Sequence, residues 1–196
     1  MSVTTIPEAI HPAILRACEA AWPDPTWNGW HRYKGTTADK YGSLHHSLIP
    51  RACMVALDAL AAVVANHIGD SFIDYDLHAA GLHMMPPGGF LGRHLDAERH
   101  PIRPWRRTHS IVMPVNSAWG ELCGGELVIE SNLDSEPDQV FEVLPGRVVI
   151  FETPNIWHKV NRVGTDISKL HRKSLALFAW QLDDECEGKT SADFRE

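Results

Sequence analysis

His94 and Asp96, in the stretch Gly-Arg-His-Leu-Asp-Ala-Glu-Arg-His-Pro over residues 92–101, place an imidazole and a carboxylate two residues apart. On an extended chain, residues i and i+2 point to the same side about 6–7 Å apart, so the pair could grip one cation from one side. A third ligand must come from a different strand, and Asn-Ile-Trp-His-Lys-Val-Asn-Arg-Val offers His158. Two imidazoles and one carboxylate on one face of an octahedron leave three positions open, the donor set of non-haem Fe(II) oxygenases. The chain has twelve histidines, and on spacing alone His83, His100 and His109 compete for the same role.

A second constellation lies downstream, in Arg-Lys-Ser-Leu-Ala-Leu-Phe from residue 172. Alternation puts Arg172, Ser174, Ala176 and Phe178 on one face of a strand and Lys173, Leu175 and Leu177 on the other. A guanidinium inside an apolar barrel is costly unless it meets an anion. Arg172 with Ser174 would form a planar fork plus a hydroxyl, a receptor for a carboxylate. The alternatives are an Arg172 that reaches solvent from the strand's end, and Lys173 as the anchor with the opposite parity.

The elements that must carry these residues follow from periodicity. Residues 7–21 and 51–70 show apolar spacings of three and four, with proline near the start of the first and Gly69 placed to cap the second. Residues 22–46, rich in Gly, Pro, Trp and Tyr, read as irregular. From about residue 71 the period becomes two. Eight strand-length runs begin near residues 72, 81, 109, 125, 139, 147, 156 and 172, separated by Gly and Pro turns. Two helices followed by eight short strands predict a mainly β barrel or sandwich with helices packed on one sheet.

Composition agrees with one domain over residues 1–196: residues 1–70 as helical support and lid, 71–182 as the β core, 183–196 as a polar tail. A formal charge of −7 argues against a sequence-independent grip on nucleic acid, despite the local Arg-Pro-Trp-Arg-Arg stretch. Four cysteines lie far apart without paired spacing, which predicts reduced thiols in a cytoplasmic protein. No signal-peptide pattern and no membrane-length apolar run is evident.

Taken in order, the segments MPPGGFLGRHLD, RTHSIVMPVNSAW, GGELVIE, LPGRVVIFE, HKVNRV and RKSLALF resemble the Fe(II)- and 2-oxoglutarate-dependent dioxygenases, specifically the prolyl-4-hydroxylase-like branch. The resemblance covers roughly residues 80–180. It implies a double-stranded β-helix (jelly-roll) core braced by two or more α-helices. It also implies Fe(II) on His94, Asp96 and His158, and 2-oxoglutarate held at its distal carboxylate by Arg172 and Ser174. O2 would be the oxidant and ascorbate a further candidate reductant. Family members that halogenate lack the carboxylate ligand, so Asp96 favours hydroxylation. The chain departs from the branch where Met113 and Pro114 replace an aromatic pair, and where Met84 and Met85 replace a tyrosine before the Pro-Gly turn.

Two segments are candidates for the substrate rim. Trp27, Trp30, Tyr33 and Tyr41 could form an aromatic lid, and Arg103, Trp105, Arg106 and Arg107 follow the iron ligands. Such a rim suits a small-molecule or peptidyl substrate with an anionic group. Two other functions use the same barrel: a cupin-like metal-dependent isomerase or hydrolase without 2-oxoglutarate, and a non-catalytic jelly-roll binding module.

Overall fold

The computed structural model describes residues 2–130, 138–165 and 170–183. Its elements are β1 (Val3–Ile6), α1 (Pro12–Ala20), β2 (Trp30–Lys34), β3 (Ala38–Ser43), α2 (Arg51–Val64), β4 (Phe72–Ile73), β5 (Gly81–Met85), β6 (Phe90–His94), β7 (Trp105–Pro114), β8 (Leu127–Ile129), β9 (Gln139–Phe141), β10 (Val148–Glu152), β11 (His158–Val160) and β12 (Arg172–Leu182). The strands form one continuous path, β1-β10-β7-β12-β5-β3-β6-β11-β8-β9, with β2 added to β3 and β4 to β12. Residues from β5, β7, β10 and β12 and residues from β6, β8 and β11 line the same cavity, so the path curls around it.

Alternation along the central strands separates two cores. Leu82 and Met84 on β5, Ile111 and Met113 on β7, and Leu175 and Leu177 on β12 pack with the helices. The helices present Leu15 and Cys18 from α1 and Cys53, Ala56, Leu57, Leu60 and Val64 from α2. Each large side chain so buried contributes about 1.5–3 kcal/mol. The second core, with Met85, Leu127, Ile129, Phe151 and Val160, fills the interior of the roll. The helices therefore brace the outer face of β5, β7 and β12 and leave the inner face for the site.

Several expected elements change. Residues 22–46 are not simply irregular: β2 and β3 form a hairpin, and β3 sits between β5 and β6. Cross-strand pairs hold it, with Arg32 on Asp39 at 2.8 Å and over the Tyr41 ring. The N-terminal Val-Thr-Thr-Ile forms β1 on the outer edge of β10, so the first 70 residues supply strands as well as helices. The second helix stops at Val64 in a short 3-10 turn, Ala65–His67, and Gly69 lies beyond it at φ +57°. The run from residue 72 keeps only two strand residues, because Asp74 turns the chain by accepting the backbone N–H of Asp76 and of His78. The tail from residue 184, with Cys186, and residues 166–169 of the loop before β12 lie outside the described residues. No helix among the described residues is long and apolar enough to cross a membrane.

Candidate metal centre and its cavity

His94 closes β6 and His158 opens β11, and the two are register partners across an antiparallel pair. Their ring centroids stand 4.1 Å apart. Asp96 lies just past the end of β6, so its carboxylate turns back toward both rings: 3.5 Å from His94 Nε2 and 3.8 Å from His158 Nε2. One ligand atom from each of the three residues falls within 4.8 Å of the others.

Backbone carbonyls set the tautomers. His94 Nδ1 donates to Gly92 O at 2.9 Å, and His158 Nδ1 donates to Ile156 O at 3.0 Å. Each Nε2 therefore keeps its lone pair facing Asp96, the arrangement in which second partners orient metal-ligating imidazoles. Burial pushes the His158 imidazole below its usual range, which keeps it neutral. Burial alone would push the Asp96 carboxyl up. The neighbouring His94 and His158 rings, the Arg107 charge and the Ser110 hydroxyl outweigh it and hold the group well below the usual carboxylate range. Two imidazole Nε2 atoms and an ionised carboxylate fit a divalent cation such as Fe(II).

Sequence reasoning placed Arg107 only at the substrate rim and did not single out Ser110; both are partners of Asp96. Arg107 Nη1 lies 3.3 Å from Asp96 Oδ2, and the Ser110 hydroxyl donates to the same oxygen. Strict alternation from Ser110 would aim residues 108 and 106 inward. A register shift between Ala179 and Trp180 leaves Thr108 as the extra residue, and the bulge turns Arg107 inward instead. Its guanidinium rests 3.7 Å over Phe178 and 5.0 Å over Trp180.

The three candidate ligands open into a cavity of about 360 Å³, whose wall also carries Arg172, Ser174, Ala176 and Phe178 from alternate positions of β12. Arg172 is only 2 % exposed. It donates from Nε to Gly125 O at 2.7 Å and from Nη1 to Ser174 Oγ at 3.1 Å. No carboxylate forms a salt bridge with it among the described residues, and burial pushes its pKa down to about 10. Asn116 clamps the strand on either side: its amide donates to His171 O, and its carbonyl accepts the Lys173 N–H. At Gly125, φ is +79° and a Cβ would come within 2.8 Å of Arg172 Cδ, so glycine alone allows this approach. Lys173 faces the other way, into a groove beside Glu19 and Met84.

The competing histidines go elsewhere. His100 is buried between Trp105 and Trp180, 3.5 Å from Asp74, and His109 faces an outer groove of about 620 Å³. His83 lines the cavity but donates to or accepts from no ligand residue; its Nε2 is 3.1 Å from Ala79 O. Of the rim candidates, Tyr33 lines the cavity. Trp27 packs edge-on against Trp30, and Trp30 packs against Trp22 and Tyr41. Arg103 pairs with Asp76, Trp105 packs against Phe72, and Arg106 lines the outer groove.

No curated protein matches the sequence. Solved structures do resemble the fold. A Pseudomonas putida prolyl-4-hydroxylase aligns over 91 % of this chain and 90 % of its own, with 22 % identity and TM-score 0.63. An oxidoreductase of the 2OG-Fe(II) oxygenase family from Burkholderia pseudomallei aligns over 90 % and 84 %, with 20 % identity and TM-score 0.62. A Trichoplax adhaerens prolyl hydroxylase, in complex with a hypoxia inducible factor oxygen degradation domain peptide fragment, aligns over 96 % and 87 %, with 11 % identity and TM-score 0.63. These likenesses establish the double-stranded β-helix fold. The family model of the 2OG-Fe(II) oxygenase superfamily matches residues 80–180, more than half of the chain, and the matched span contains all three candidate ligands and Arg172. The chain belongs to the 2OG-Fe(II) oxygenase superfamily, whose members are enzymes that work with Fe(II), 2-oxoglutarate and O2.

Proposed function

We propose that this enzyme hydroxylates a C–H bond of a small-molecule or peptidyl substrate while 2-oxoglutarate is converted to succinate and CO2. One observation carries the reading: a convergent His94–Asp96–His158 cluster shares one cavity with a buried guanidinium that no carboxylate among the described residues salt-bridges. In this reading the Nε2 atoms of His94 and His158 and the Asp96 carboxylate hold Fe(II). Arg172 and Ser174 take the distal carboxylate of 2-oxoglutarate, which orients the molecule before chemistry starts. Arg107 and Ser110 keep the Asp96 carboxylate ionised and aimed. Val112, Leu127, Phe151 and Phe178 give the cavity apolar walls that exclude water. Fe(II), when bound, supplies the oxygen chemistry, and the side chains supply position and charge.

A cupin-like isomerase or hydrolase would have no use for Arg172 and Ser174, and a binding module would have no use for the ligand cluster. Cys18, Cys53 and Cys123 are free and buried, which supports a reducing, cytoplasmic setting. The test is oxygen-dependent succinate formation from 2-oxoglutarate with Fe(II). Asp96→Ala and His158→Ala should abolish it; unchanged turnover in either variant refutes the assignment.

A further inference from the structure

The cavity carries more positive charge than the metal and co-substrate require. Asp96 is the only carboxylate on its wall among the described residues, facing the cations Lys40, Arg107 and Arg172. The two charges of Fe(II) offset the two of 2-oxoglutarate, so the wall's own surplus of two positive charges remains. Arg107 is committed to Asp96, and Arg172 is fully buried beside Ser174. Lys40 is left over.

Its position follows from register. Tyr41 pairs with Met84 and Gly42 with His83, so Lys40 stands beside Met85, which in turn pairs with Arg172. Residues directly opposite on neighbouring strands share a face, and two strand spacings put the Lys40 and Arg172 backbones about 10 Å apart. Both side chains therefore enter the same cavity from one wall. Lys40 Nζ lies 5.4 Å from the Tyr33 ring centroid, and Tyr33 is 44 % exposed, so the ammonium lies on the mouth side of Arg172. Burial lowers the Lys40 pKa, the Asp96 charge raises it and the Arg172 charge lowers it again, which places the ammonium within the field of both ends of the site. No salt bridge among the described residues includes Lys40.

We propose that Lys40 receives the carboxylate of the molecule to be oxidised, and that the substrate is a small organic acid sharing the cavity with 2-oxoglutarate. This rests on Arg172 as the 2-oxoglutarate anchor. Both carboxylates of 2-oxoglutarate already have partners in that arrangement, the distal one on Arg172 and the other on the metal, so the anion that Lys40 awaits is a third. A half-buried ammonium facing a cavity is costly until such an anion arrives, which makes the group selective against neutral analogues. The size of the cavity, about 360 Å³ for both molecules, sets the class as small.

The experiment is calorimetric titration of the full chain, held without oxygen with Fe(II) and saturating 2-oxoglutarate. The probes are hexanoate with hexanamide, benzoate with benzamide, and 3-phenylpropanoate with its amide. At least one acid is expected to bind about tenfold or more tighter than its amide, with Lys40→Met erasing the difference and Lys40→Arg keeping part of it. The comparison of acid with amide needs no variant, so a misfolded Lys40→Met leaves the inference exposed to refutation. Amides binding as well as acids, or no acid binding, overturns it. So does a Lys40→Met loss that falls on 2-oxoglutarate more than on the acids. A chain that binds no 2-oxoglutarate refutes the co-substrate reading and this inference together; one that binds it without preferring acids refutes this inference alone.

Discussion

The Arg107 guanidinium reaches Asp96 Oδ2 at 3.3 Å while lying 3.7 Å over the Phe178 ring, so one cation both orients the carboxylate and closes the cavity wall behind it. Arg107→Met keeps an apolar stem on Phe178 and removes the charge. Groups that hold a metal ligand in place are worth about 10–100-fold in metal affinity, so the Fe(II) dissociation constant should rise by about tenfold or more. Without the guanidinium the Asp96 carboxyl also rises toward its ordinary value, and the acid limb of Fe(II) binding should move to higher pH. Chelator competition across a pH series measures both. An unchanged affinity and an unmoved limb would show that Arg107 serves packing only.

Removing Arg172 separates binding from stability. Arg172→Met should raise the KM for 2-oxoglutarate by about tenfold or more, because a charge-assisted fork is lost. The melting temperature of the ligand-free protein should not fall, because a buried cation that no carboxylate among the described residues salt-bridges is replaced by an apolar chain of similar length. Differential scanning calorimetry with and without 2-oxoglutarate checks the pair. A large drop in the ligand-free protein would mean that the guanidinium is a structural strut rather than a receptor.

Gly125 offers a way to disturb the proposed anchor, Arg172, without replacing it. Gly125→Ala places a Cβ within 2.8 Å of Arg172 Cδ at φ +79°, so the guanidinium must move or the loop must shift. The left-handed backbone costs about 1–2 kcal/mol. The expected result is weaker 2-oxoglutarate binding with Fe(II) affinity preserved, read by separate titrations. Equal losses of both ligands would point to general collapse of the barrel.

How far the site could be read from the sequence depended on parity. Residues 172–178 follow strict alternation, so Arg172 and Ser174 fall on the cavity face as the pattern predicts. The pairing of His158 with His94 was less accessible, because strand partners are chosen by the whole sheet rather than by neighbours in sequence. Arg107 was legible as a rim residue, but its turn onto Asp96 was hidden by a one-residue bulge that reverses its parity. Lys40 was hidden because residues 22–46 look like a loop: the glycines, prolines and tryptophans that suggest irregularity belong to a hairpin and the aromatic cluster under it. The six-residue run from 72 erred the other way, since its alternating pattern yields to an Asp74 turn.

Acid should weaken the metal-free fold in a defined direction. His83, His100, His109 and His158 are all pushed below the usual value of 6.5, in each case by burial first. The unfolded chain therefore takes up protons before the folded one does, and stability present above about 6.5 is lost as pH falls. His83, pushed down to about 3 with Lys40 adding to the burial effect, extends that loss down to about pH 3. Urea unfolding midpoints should decline steadily from neutral pH downward, and His83→Gln should make the decline shallower. A flat profile would contradict the burial of neutral imidazoles.

The measurement that bears most directly on the site is the visible absorption of the Fe(II)-loaded protein on addition of 2-oxoglutarate without oxygen. A weak metal-to-ligand charge-transfer band should appear, vanish in His158→Ala and Asp96→Ala, and require more 2-oxoglutarate in Arg172→Met. A protein that shows no band, or one whose band survives the loss of His158, would contradict a single ferrous ion held between β6 and β11.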